Sequence, residues 1–217
     1  MNLFEYLGEK KLNELIIPNP YDSAGKIDVT KGPIASRFLG LLGQEFKLSE
    51  KTALKQSNTT IGTLYGGIYK IVRVQPDFAT VAITDVIVGR MMFWNDKKKN
   101  LVTPLAAITG QQAGICVCKL TSANAKGDLI VICVEGEVEF LMGTITKTTV
   151  AVGDPVVFAV ASNLAVGDVL ADATGWTNVQ LGVRVGKMIS ALGTGGDGLV
   201  ARIYYDNATK NPDDGVI

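Results

Sequence analysis

The chain has 217 residues, 47% of them hydrophobic, with 21 Lys plus Arg, 21 Asp plus Glu and no histidine. A chain of this length buries about 70% of its unfolded surface and needs neither disulfide nor metal to fold. Charge is balanced locally as well, with eight basic and seven acidic residues in 1–58 and twelve of each in 59–206, which argues against a nucleic-acid binder and its clustered basic excess.

The opening "MNLFEYLGEKKLNELIIP" has no apolar leader core and no small-residue cleavage site. No apolar run approaches the roughly 20 residues needed to cross a bilayer. The expectation is a soluble protein made in a cytoplasm, with no membrane partner. Leu3, Phe4, Leu7, Leu12, Leu15 and Ile16 stand among charges at roughly helical spacing. A second weak helical pattern covers 35–43. Between them "PNPYDSAGKIDVTKGP" is turn chemistry. Its Ser23 and Lys26 match the S-x-x-K spacing of a serine–lysine nucleophile pair, but no partner motif accompanies them. Residues 44–58 are polar and unpatterned. Residues 1–58 therefore read as an N-terminal arm with one or two short helices, whose six apolar residues are its candidate anchors on a partner.

From residue 59 the texture changes to short Val, Ile, Thr and aromatic runs separated by Gly, Asn and Asp, the pattern of an all-β domain. It predicts strands at 67–75, 80–88, 90–94, 101–103, 113–120, 128–134, 137–142, 155–160, 168–171, 181–189 and 198–205, and no long helix. The fold class expected is mainly β, a sandwich or barrel-like body over 59–206, with 207–217 as a C-terminal tail. Partial alternation in "IYKIVRVQ" fits strands with one wet face.

Trp94 and Trp176 sit beside turns, at a core edge or as interface anchors. Lys97-Lys98-Lys99, between Asp96 and Asn100, reads as a solvated turn rather than an anionic-surface contact. Cys116, Cys118 and Cys133 are too few for a disulfide framework. Cys116 and Cys118 share a strand face, and buried free thiols are the expectation. Glu135, Glu137 and Glu139 alternate, so a continuous strand points all three one way and Gly136, Val138 and Phe140 the other. Like charges along one face repel. That face stays in water, meets a basic partner or, least favourably, holds a cation or an acid/base pair.

Gly-Asp occurs at 127–128, 153–154, 167–168 and 196–197, each time before a predicted strand. Glycine supplies positive φ and Asp bonds its own backbone two residues on, so the pair turns the chain into the next strand. A calcium repeat would need tandem nonapeptides, and these spacings are irregular. "GTGGDG" at 193–198 formally matches a dinucleotide fingerprint, but a β-run follows where a helix should open, which makes it a hairpin loop. No catalytic residue, metal site or cofactor site is assigned: histidine, the commonest general base, is absent, and no nucleophile elbow, phosphate loop or zinc spacing occurs.

The C-terminal half carries a resemblance. "KGDLIVICVEGEVEFLMGT", "VAVGDPVVFAV", "AVGDVLADA", "QLGVRVGKMIS" and "GDGLVARIYY" follow in an order that resembles the capsid decoration (cement) proteins of tailed bacteriophages, over about residues 110–205. The long N-terminal segment and the second Gly-Asp strand at 165–172 depart from that family. The resemblance implies a non-enzymatic structural virion protein on the outer capsid surface. Its partners would be the major capsid protein and its own copies, as trimers or alternatively dimers, without nucleic acid. The rival readings are another β virion protein, such as a tail-tube or head-fibre subunit, and a carbohydrate-binding module or enzyme built on the glutamate row or a tryptophan.

Overall fold

The computed structural model describes residues 42–51, 53, 63–75, 82–105, 111–121, 127–143, 145, 147, 149–161, 164–169, 184–192 and 200–206. The strands are β1 (Glu45–Leu48), β2 (Gly67–Val74), β3 (Met91–Asp96), β4 (Leu101–Thr103), β5 (Gln112–Cys116), β6 (Leu129–Leu141), β7 (Pro155–Ala161), β8 (Leu164–Asp168), β9 (Arg184–Met188) and β10 (Val200–Asp206).

β6 organises everything else. Its first half, "LIVIC", is buried on both faces, while its second half alternates. The first half pairs antiparallel with β2 on one side and β5 on the other. β5 pairs with β3, β3 with β4, and β4 returns to β2 in a short parallel contact at Arg73↔Leu101 and Val74↔Val102. Those five strands close a barrel, which removes every unpaired edge among them. β1 adds to the outside of β2 through Glu45↔Lys70 to Leu48↔Gly67.

The second half of β6 pairs with β10, and the sheet continues through β9, β7 and β8. β8 curls back toward the barrel. Gly167 bridges Met142 just beyond β6, and Leu164 bridges Leu105. Phe93 in the barrel and Phe158 on β7 meet in a T-shaped contact at a centroid separation of 5.4 Å. One continuous core results. Tyr69, Tyr205, Phe93, Phe140, Leu48, Leu64, Ile71 and Met91 are its largest fully buried side chains.

The body is thus barrel-like and mainly β, with several departures from the strand pattern read from sequence. Ile83–Asp85, inside the strand expected at 80–88, forms a 3-10 turn. Asp85 caps it by accepting from the Ala82 N–H at 2.8 Å, local bonding that competes with a ladder. The strands expected at 128–134 and 137–142 are a single strand. β8 spans 164–168, ahead of the expected 168–171, so Gly167-Asp168 ends a strand instead of launching one. Gly127-Asp128 and Gly153-Asp154 do launch β6 and β7, with φ of 97° and 91° at the glycines. Gly196-Asp197 and the "GTGGDG" loop lie outside the described residues. Glu45–Leu48, unpatterned to the eye, forms β1 and buries Phe46 and Leu48.

Candidate interaction surface

β6 places Glu135, Glu137 and Glu139 on its outer side and buries Gly136, Val138 and Phe140 opposite, as alternation requires. β10 lies beside it in register, with Glu135 opposite Asp206, Glu137 opposite Tyr204 and Glu139 opposite Arg202. Tyr204 in turn stands opposite Lys187 on β9. A straight row therefore crosses three strands: carboxylate, phenol, ammonium.

Arg202 is the hub of this face. Its Nε donates to Glu137 Oε2 at 2.9 Å, and its Nη2 donates to the same oxygen. The guanidinium lies over the Tyr65 ring, 4.6 Å from its centroid, a cation–π contact. The hydrogen bond to Glu137 raises the Arg202 pKa further. Burial, then the Glu139 carboxylate that shares a hydrogen bond with it, raise the Tyr65 pKa. Burial and the Glu135 carboxylate do the same at Tyr204. Tyr204 is nevertheless 44% exposed, and Val200, four residues back on the same face, is 46% exposed.

The glutamate row thus meets basic groups of its own chain at Glu137, while Glu135 and Glu139 flank that pair. Among the described residues no group of three or more His, Cys, Asp or Glu is arranged to hold a metal ion. Sequence reading missed Tyr65, Arg202 and Tyr204. The last two were legible in "LVARIYY", whose alternation puts Val200, Arg202 and Tyr204 on one side.

The other singled-out residues have structural employment. Cys116, Cys118 and Cys133 are buried free thiols. Cys116 Sγ donates to the Cys118 carbonyl at 3.1 Å, and Cys118 Sγ accepts from the Val131 N–H at 3.4 Å. Trp94 is half-buried at the core edge, with the Lys70 ammonium 5.4 Å from its ring centroid. Lys97, Lys98 and Lys99 are exposed in the turn between β3 and β4. Asp96 Oδ1 accepts from the Lys99 N–H, Lys97 O accepts from the Asn100 N–H, and Asn100 takes a left-handed φ of 53°. Leu3, Phe4, Leu7, Leu12, Leu15, Ile16, the Ser23/Lys26 pair and Trp176 lie outside the described residues.

No family model matches this chain, and no curated protein matches it. Among solved structures, the head fibre gp8.5 N base of bacteriophage phi29 is similar to it at a TM-score of 0.38 and 12% sequence identity, over 64% of this chain and 93% of that one.

Proposed function

We propose that this chain is a structural protein of a tailed-bacteriophage virion that coats the outer surface of the assembled capsid and reinforces it. The observation that carries the reading is the coincidence of motif and strand. The five stretches that resemble decoration proteins fall on β6, β7, β8, β9 and β10, and these are the strands of the sheet extending from the barrel. Among the described residues several reactive side chains are already engaged. The thiols are buried, Glu137 is held by Arg202, and the buried Arg90 guanidinium is bonded to backbone carbonyls. Such a protein works through contact area and bond-making chemistry plays no part. In this reading the major capsid protein is its partner, no cofactor is needed, and the residues ahead of β1, which itself packs into the body, supply an arm whose apolar anchors grip the shell.

The physics of coating is linkage. A protein that binds only the assembled shell stabilises each site by RT ln(1 + [L]/Kd), about 2.7 kcal/mol at a hundredfold excess over Kd. An arm adds avidity, because docking the body makes docking the arm intramolecular.

The test is co-sedimentation of the purified full-length protein with emptied capsid shells of the phage that encodes it. Saturable binding to shells, none to unassembled capsid subunits, and a higher shell melting temperature are expected. Absence of the chain from the outer density of intact virions would overturn the reading.

A further inference from the structure

The described surface is electrically polar, with its two ends set far apart by β6. At one end is the outer face of β6, β10 and β9, where the four carboxylates of Glu135, Glu137, Glu139 and Asp206 outnumber the three cations of Arg202, Lys187 and Arg184. At the other end is the tip between β3 and β4, where Lys97, Lys98 and Lys99 are exposed and only Asp96 opposes them. The tip is anchored at the start of β6: the Arg73 N–H donates to Asn100 O at 3.0 Å, and Arg73 pairs with Leu129. From Leu129 to Glu135, the nearest carboxylate of the face, is six residues of strand, roughly 20 Å at about 3.3 Å each. Within one chain the tip cannot reach the face.

Both partners are preorganised. The tip is fixed by the Asp96 and Asn100 bonds, and the Asn100 amide packs against Gly43, where a Cβ would lie 2.5 Å from its nitrogen. The face is held by the Arg202–Glu137–Tyr65 cluster and offers Tyr204 and Val200 as apolar contact area. An exposed aromatic beside the half-exposed Glu135 and Glu139 suits a lysine tip, whose stems cover apolar surface while the ammonium groups meet acid.

We propose that the lysine tip Lys97–Lys99 of one copy docks on the Glu135/Glu137/Glu139–Tyr204 face of a second copy, a head-to-tail contact between unlike surfaces. The occupant is a second copy because the complementary charge belongs to this same chain. A contact between unlike surfaces closes into a ring when the rotation permits and otherwise continues as a filament. The inference goes beyond the capsid reading and stands whether or not the copies coat a shell.

The test is the mass of the purified full-length protein in solution, by sedimentation over a range of concentration and salt. Association should weaken at least about tenfold between 0.05 and 0.5 M salt, because each exposed pair contributes only ~0.2–1 kcal/mol and is screened. K97E/K98E/K99E alone and E135K/E139K alone should each dissociate the assembly at concentrations where the parent associates. Mixing those two variants should restore it, since each supplies the surface the other needs. Circular dichroism and thermal melting check that both remain folded, and none of the five substituted residues is buried. Association unaffected by either variant overturns the proposal, as does failure of the mixture to reassociate or a parent that stays monomeric at 0.05 M salt and high concentration. A contact between two like faces gives a different result, in which the tip variant changes nothing.

Discussion

Gly136 on β6 stands directly opposite Gly67 on β2, and neither position has room for a side chain. A Cβ on Gly136 would lie 2.6 Å from the Gly67 Cα, and one on Gly67 would lie 2.6 Å from the Glu135 carbonyl oxygen. Gly136 also has φ of 120°, which side chains rarely adopt. This is where β6 leaves the barrel and enters the outer sheet, beside the register shift between Ile68 and Tyr69. Gly136→Ala therefore meets both backbone strain and a clash. A loss of roughly 2–3 kcal/mol is expected, read as a lower urea midpoint with the slope unchanged. An unaltered midpoint would mean that the two strands are not held this close.

Arg90 ties the barrel to the outer sheet. It is 6% exposed, and its Nη1 donates to the Ala165 carbonyl of β8 at 3.0 Å while Nε donates to the Asp85 carbonyl at 3.3 Å. Burial lowers its pKa, and the nearby Asp85 carboxylate opposes that. Arg90→Met keeps much of the apolar stem but strips two carbonyls of a charged donor. A hydrogen bond to a charged group is worth ~1.5–3 kcal/mol, offset partly because a buried cation is removed. The expected net cost is about 2 kcal/mol. Amide exchange should quicken most in β8, with β2 and the first half of β6 retaining more of their protection. Uniform loss of protection across all strands would show that Arg90 is not a local tie.

How far the sequence carried this fold depended on how local each interaction is. β2, β3, β4, β7 and β10 announce themselves by apolar runs bounded by turn residues, and they fall within a residue or two of their expected limits. β1 escaped because four residues, "EFKL", give too short a pattern, though Phe46 and Leu48 do alternate with charge. β6 is one strand where the sequence pattern predicts two, at 128–134 and 137–142, and only the opposing Gly67 backbone explains the glycine between them. Barrel closure was illegible: it rests on β2 pairing with β6 and, in parallel, with β4, and no short pattern encodes a partner so far along the chain. The acidic face was half legible. The glutamate alternation was plain, but Arg202 and Tyr65 reach it through tertiary contacts.

The Arg202–Glu137 pair sets a limit on what that face contributes to stability. Both side chains are about one-third exposed, at 37% and 32%, so solvent screens much of their attraction. A double-mutant cycle with Arg202→Met and Glu137→Gln should give a coupling of about 0.5–1 kcal/mol, shrinking as salt rises. Arg202→Met alone should cost slightly more, because the contact with the Tyr65 ring is lost as well. Coupling that persists undiminished at 1 M salt would indicate a more enclosed pair than the geometry describes.

The three thiols make stability depend on alkaline pH. Burial pushes Cys118 and Cys133 up to about 12 and raises Cys116 well above its ordinary value. The unfolded chain titrates near 8.5. Below that value both states hold their protons, and the contribution of each thiol is present in full. As pH rises further, the unfolded chain loses protons that the folded chain keeps, and stability falls by about 1.4 kcal/mol per pH unit per thiol until the folded pKa is reached. Urea midpoints should therefore drop steeply between roughly pH 9 and 11. Cys118→Ala should remove one thiol's share of that slope whatever it does to the midpoint at neutral pH. Burial of Tyr69 and Tyr205, whose pKa values are also raised, adds to the decline only above roughly pH 10. The same burial predicts that a thiol reagent at pH 8 modifies none of the three in the folded protein and all three in urea. Rapid modification of Cys116 or Cys133 in the native state, or a midpoint flat to pH 11, would contradict this account of the core.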